Sequence, residues 1–308
     1  MKNFISAGAI TREELERLYT VADDIKRNKG KYQNALKGYV VATLFYEPST
    51  RTRLSFESAV QRLGAGLIST ENARENASAK KGESLEDTIK IVQGFADMIV
   101  MRHFENDSAE RAASVATVPI INAGAGGGEH PTQALLDVYT IREYKGKVDG
   151  TSIAIMGDLK YGRTAHSVIK LLSLYNDITV YGFSIKGLEL QQQYKDLLRA
   201  KNHKYVECAS FTDIPSDVDF LYQTRVQLER LENNNLKIEE LILNKANFAR
   251  FSKNTYILHP LPRVDEIATD LDDDPRSIYF KQAHNGIPTR MALIYTLMHD
   301  FYGIDTVH

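Results

Sequence analysis

A chain of 308 residues is longer than one hydrophobic core ordinarily supports, so two domains of roughly 150 residues each are expected. With 43% hydrophobic and 25% charged residues the composition is that of a folded globular protein, neither disordered nor membrane-like. A net charge of −2, from 38 basic and 40 acidic side chains, offers no global field to nucleic acid or an anionic membrane, so neither is an expected partner and any anion site must be built locally.

The one cysteine, Cys208, excludes an internal disulfide or a cysteine-based zinc cluster and reads as a small structural residue in a reducing compartment. The first ten residues are mildly apolar, but Thr11-Arg12-Glu13-Glu14 interrupts them before a leader could form. No apolar run approaches the ~20 residues of a spanning helix, and the cytoplasm is the expected location.

Thr11 and Glu14 form a capping box, and Leu15, Leu18, Ala22 and Ile25 recur at helical spacing, predicting a helix over 11–27. Strands are then expected over 39–46, 66–70, 98–101 and 118–122, with helices over 52–63, 84–95 and 108–116 between them. His130-Pro131 opens a helix to about residue 144, and the polar, glycine-bearing stretch 145–150 marks a domain boundary. Beyond it come strands at 152–156, 178–181, 205–207, 219–222 and 255–258, with helices from about 164 and over 188–200. The last helix, 288–298, is apolar all round and should be buried. Strand and helix taking turns predicts an α/β protein of two doubly wound domains, each with a mainly parallel sheet flanked by helices.

In such sheets ligands bind beyond the carboxyl ends of the strands. Six expected strand ends carry arginine or histidine: Arg51 and Arg53 after 39–46, Arg102 after 98–101, His130 after 118–122, Arg163 after 152–156, Arg225 after 219–222, and His259 with Arg263 after 255–258. The most specific local signal is Ser49-Thr50-Arg51-Thr52-Arg53 between a strand and a helix. Helix-start amides, hydroxyls and a two-pronged guanidinium suit a phosphate. A capped helix with solvated arginines is the plain alternative, and Pro48 leaves both open.

Two further patterns invite nucleotide readings. Gly157-x-x-x-x-Gly162-Arg163-Thr164 is a P-loop pattern with arginine in place of lysine; the bulkier planar group disfavours nucleotide hydrolysis and suits a carboxylate. The run 124–128 lacks dinucleotide-binding spacing and reads as a permissive turn before Pro131. Most of the eight histidines should be surface or satisfied core residues, and no pair has metal-ligand spacing.

Phe45-Tyr46-Glu47-Pro48-Ser49-Thr50-Arg51-Thr52-Arg53 resembles the carbamoyl-phosphate motif shared by aspartate and ornithine carbamoyltransferases, and His130-Pro131-Thr132-Gln133-Ala134-Leu135-Leu136-Asp137 resembles their second shared motif. Similarity continues through Lys80-Lys81-Gly82-Glu83, Val100-Met101-Arg102-His103, 157–164, Thr224-Arg225-Val226-Gln227 and 259–267, nearly the whole chain. His259-Pro260-Leu261-Pro262, where ornithine enzymes typically show His-Cys-Leu-Pro, and the loop at Thr224-Arg225 favour aspartate as acceptor.

The resemblance implies a carbamoyl-phosphate-binding domain over 1–145, completed by the C-terminal helix at about 286–308, and an aspartate-binding domain over 150–285. The implied reaction gives N-carbamoyl-L-aspartate and phosphate, an early step of de novo pyrimidine biosynthesis, with no cofactor and no metal. Ser49, Thr50, Arg51 and Thr52 are implied to hold the phosphate. Thr52, Arg102 and His130 surround the carbonyl oxygen, and Gln133 receives the carbamoyl amine. Arg163, Arg225 and Gln227 take the aspartate carboxylates, the backbone carbonyls of Leu261 and Pro262 orient the amines, and Glu47 and Arg230 brace the closed form.

The loop bearing Lys81 is implied to enter a neighbouring subunit's active site, which makes a homotrimer with shared sites. The family's serine, four residues before the lysine, falls on Ala77 here. Either Ser78 takes its part or Lys80 and Lys81 exchange roles. The stretch 259–267 is similar to the bacterial type that associates with separate regulatory chains.

Overall fold

The computed structural model describes residues 1–72, 82–225 and 241–305. The expected roles of Ser78, Lys81, Gln227 and Arg230 lie outside the described residues. In chain order the principal elements are α1 (Arg12–Arg27), β1 (Val40–Phe45), α2 (Thr50–Arg62), β2 (Gly66–Glu71), α3 (Leu85–Val92), β3 (Met98–His103), α4 (Ser108–Val115), β4 (Ile120–Ala125) and α5 (Pro131–Lys145). They continue with β5 (Ser152–Met156), α6 (Arg163–Leu172), β6 (Thr179–Phe183), α7 (Gln192–Ala200), β7 (Lys204–Cys208), β8 (Phe220–Gln223), α8 (Lys245–Phe248), β9 (Tyr256–Leu258), α9 (Tyr279–His284) and α10 (Gly286–Tyr302).

The chain divides into two compact units, Met1–Leu135 with Asn285–His308, and Leu136–His284. In the first, the sheet order is β2-β1-β3-β4, every pairing parallel. The Thr11 hydroxyl accepts the Glu14 amide at 3.2 Å and the Glu14 carboxylate accepts the Thr11 amide at 3.0 Å, so the expected box starts α1. The apolar stripe of α1 is buried, as is α10 from Pro288 to Met298, and these helices pack together. Burying each such large apolar side chain contributes about 1.5–3 kcal/mol. Gly303, at φ 64°, ends α10 in the left-handed conformation glycine adopts freely. Ala42, Leu44, Ile89, Ile99, Met101 and Ala112 form part of the core between the sheet and α3 and α4.

The second unit has sheet order β7-β6-β5-β8-β9, again all parallel. Its core includes Ala154, Met156, Leu221, Phe248, Ile257 and Tyr279. The helix expected over 188–200 begins only at Gln192. Leu188 and Leu190 are buried from a turn instead: Gly187, at φ 94°, gives its amide to the Glu189 carboxylate, and Gln191 is extended. The short helices α8 and α9 were not anticipated.

Candidate active site

Strand order places the chemistry. In the first sheet the chain leaves β1 towards β2 and leaves β3 towards β4, in opposite directions, so the crevice beyond their carboxyl ends is a topological switch point. The residues there are 46–51 after β1 and Arg102 near the end of β3; the Tyr46 amide donates to the Arg102 carbonyl at 2.9 Å. In the second sheet the switch point lies between β5 and β8. There stand the loop ending at Arg163 and the pair Thr224-Arg225.

At the first crevice, Ser49 precedes α2 but its hydroxyl makes no capping bond to the first turn, which leaves those amides available to an anion. Arg53 is engaged with Glu71 at 2.9 Å and Glu57 at 3.5 Å, so it is a structural cation. Arg102 is 12% exposed, and its Nε lies 3.5 Å from the carboxylate of Glu47, the residue expected to brace closure. Burial pushes the Arg102 guanidinium below its ordinary value, Glu47 holds it up, and Arg51 pushes it down again. Burial likewise lowers Arg51. Two guanidinium groups within mutual electrostatic reach, offset by one partly solvated carboxylate, form a site that favours a dianion. Of the motif's own arginines Arg53 is paired and Arg51 is exposed, so an anion there would rely on the uncapped amides and on the neighbouring Arg102.

Thr52 is buried on α2, and His130 and Gln133 are buried at the start of α5, within the same unit. The glycine run before them makes no nucleotide loop. Gly126, at φ 48°, donates to the His103 carbonyl at 2.8 Å, and the Gly127 amide donates to the Asn106 side chain at 2.8 Å. A β-carbon on Gly126 would meet that side-chain oxygen at 2.1 Å.

At the second crevice, Asp158 is buried, and its Oδ1 accepts the Lys160 and Tyr161 amides at 3.1 and 2.8 Å. A P-loop would turn such amides on a phosphate; here a carboxylate already occupies them. Gly157, at φ 112°, lets β5 and β8 end close together, since a β-carbon there would lie 2.4 Å from the Thr224 carbonyl. The Thr224 hydroxyl donates to the Met156 carbonyl at 2.9 Å and accepts the Asp158 amide at 3.2 Å. Arg163 opens α6 and Arg225 follows β8, both partly exposed.

His259, singled out from its strand end, is a buried brace. Its Nδ1 accepts the Leu261 amide at 2.7 Å, so the proton sits on Nε2, which bonds the Glu266 carboxylate at 2.8 Å. Burial raises the Glu266 carboxyl, but His259 and backbone amides outweigh it and leave a net lowering. This brace holds Leu261 at φ 56°, which is disfavoured for its side chain, ahead of a cis bond to Pro262. Neither the Asp158 turn nor the Glu266 brace was anticipated. An acid two residues after an apolar strand was the available signal for Asp158; Glu266 had none. Among the described residues no group of three His, Cys, Asp or Glu side chains could hold a metal ion.

Residues 2–143 match the profile described as the aspartate/ornithine carbamoyltransferase carbamoyl-P binding domain, and residues 149–297 match the Asp/Orn binding domain. The chain belongs to the aspartate/ornithine carbamoyltransferase family. It is 47% identical over 305 residues to the chloroplastic aspartate carbamoyltransferase of Arabidopsis thaliana, covering 97% of this chain and 78% of that one. The catalytic subunit of M. jannaschii aspartate transcarbamoylase superposes with a TM-score of 0.92 at 44% identity, covering 98% of this chain and all of that one. The Trypanosoma cruzi aspartate transcarbamoylase in complex with carbamoyl phosphate and aspartate gives 0.89 at 37% identity, with 96% of each chain covered.

Proposed function

We propose that this chain transfers the carbamoyl group of carbamoyl phosphate to the amino group of L-aspartate, giving N-carbamoyl-L-aspartate and phosphate, an early step of de novo pyrimidine biosynthesis. The observation that carries the reading is the pair at the first switch point, a largely buried Arg102 with an exposed Arg51 in electrostatic reach of it. The arginines at the second switch point, and relatives named for this reaction, support the acceptor.

Ser49, Thr50, Arg51 and Thr52 would hold the phosphate, with Thr52, Arg102 and His130 donating to the carbonyl oxygen and Gln133 meeting the carbamoyl amine. Arg163 and Arg225, with Gln227, would take the aspartate carboxylates, and the carbonyls of Leu261 and Pro262 would orient the amines. The substrates bring about four negative charges together, which cations in a poorly solvated enclosure offset far better than water does. Glu47 and Arg230 are assigned to that closure.

As the aspartate amine attacks the carbonyl carbon, charge gathers on its oxygen, where each placed donor is expected to contribute about a hundredfold to a thousandfold. The departing phosphate accepts the amine proton, so no side chain is required as general base. Carbamoyl aspartate production, with ornithine as competing acceptor, tests the reading; turnover of ornithine alone would refute it.

The assembly we propose is a homotrimer in which Lys81, with Ser78, serves a neighbour's site; the family resemblance and the catalytic-subunit wording for a relative support it. The same wording favours a separate regulatory chain as partner. Mixing an Arg51→Ala chain with a Lys81→Ala chain should restore activity that neither has alone. The buried Cys208 supports a reducing location such as the cytoplasm, although plant relatives are named chloroplastic. Among the described residues no helix is long and apolar enough to cross a membrane.

A further inference from the structure

Asp137 closes the second sequence motif, yet the reaction as derived makes no use of it. Its carboxylate is fully buried on α5, where an acid must be bound closely to be tolerated. Its two oxygens receive different donors: the Tyr222 hydroxyl at 2.7 Å and the Gln282 side-chain amide at 2.6 Å.

Each donor leads to part of the acceptor half-site. Tyr222 lies on β8, three residues before Arg225, and its oxygen is also bonded by the Thr164 side chain, next to Arg163. Burial, with Asp137 adding to it, raises the Tyr222 phenol well above its ordinary value, so it remains a donor. Gln282, on α9, turns its oxygen to the His259 amide at 2.8 Å, and His259 holds Leu261 and Glu266.

An ionised carboxylate only accepts, and this fixes the direction of both branches. The phenol must donate to it, and the Gln282 amide must present nitrogen to Asp137 and oxygen to His259. Asparagine has the same shape but accepts at only one of its two positions, so one branch would have to rearrange.

We propose that Asp137 is the positioning residue of the acceptor half-site, setting the aim of Arg163, Arg225 and the Leu261 and Pro262 carbonyls through Tyr222 and Gln282. This rests on carbamoyl transfer to aspartate as proposed above. The test is steady-state kinetics in both substrates for the wild type, Asp137→Asn and Tyr222→Phe. Small displacements of binding groups are amplified in catalysis, so Asp137→Asn should raise the aspartate KM about tenfold to a hundredfold. The carbamoyl phosphate KM should stay within about twofold, because its contacts are untouched.

Tyr222→Phe, which keeps the ring and severs one branch, should move the aspartate KM in the same direction by less. It carries the test if Asp137→Asn does not fold. A lower kcat with both KM values unchanged, or equal shifts in both, would mean a merely structural role and overturn the proposal. A wild type that forms no carbamoyl aspartate overturns the reaction and the proposal together, whereas an active wild type with an unchanged aspartate KM in the variants overturns the proposal alone.

Discussion

Replacing Arg102 by methionine keeps an apolar stem in place while deleting a guanidinium that is 12% exposed and lies 3.5 Å from Glu47. In the free protein that charge is poorly placed: burial and Arg51 both disfavour it, and only Glu47 opposes them. Glu47 is itself 34% exposed, so water can take over its solvation, and losing such a pair costs about 1 kcal/mol or less. Relief of desolvation offsets that loss, and the free variant should melt at or above the wild-type temperature.

Binding should move the other way. Deleting one member of a desolvated, hydrogen-bonded charge pair with the substrate costs about 2–5 kcal/mol. At about 1.4 kcal/mol per decade this weakens carbamoyl phosphate binding roughly 30- to 4,000-fold. Calorimetric titration would read the affinity directly, and thermal melts with and without ligand would show the ligand-induced upshift disappear. A variant that melts well below the wild type while binding carbamoyl phosphate normally would refute the reasoning, because Arg102 would then serve the fold and not the ligand.

Arg225→Ala should raise the aspartate KM with carbamoyl phosphate binding nearly intact, as calorimetry on the variant can check. Gly157→Ala places a β-carbon 2.4 Å from the Thr224 carbonyl at a φ of 112°, and should destabilise the chain by about 1–3 kcal/mol in chemical denaturation; an unchanged midpoint would contradict the close approach. The hydroxyl of Tyr32, then Lys31 and Asn28, hold the Asp24 carboxyl at about 2, below its usual range. A depressed acid contributes stability above its unfolded pKa of about 4 and loses it as pH falls towards the folded value. Asp24→Asn should therefore flatten the fall in stability between about pH 4 and pH 2, and an acid-unfolding series with an unaltered slope would count against the assignment.

Local patterns made much of the fold legible. Thr11 and Glu14 announce α1 because a capping box is complete within four residues. The buried strands β1, β3 and β4 announce themselves as short apolar runs, and Ser49-Thr50-Arg51 reads as an anion site because hydroxyls and guanidinium sit where a strand gives way to a helix. The turn at 188–191 was misread because two buried leucines can be covered from a loop as well as from a helix.

By itself, the order of residue types determined that this chain alternates strand with helix, that basic groups gather at strand ends, and that its motifs are those of carbamoyl transfer. Only the tertiary structure decided which strand ends are neighbours, because strand order depends on packing between segments remote in the chain. The pairing of β1 with β3 and of β5 with β8 gathers Glu47 with Arg102, and Asp158 with Thr224. The second unit's packing likewise turned Asp137 and His259 from quoted letters into the hub and brace of a network, since a buried carboxylate takes its meaning from the donors that enclose it.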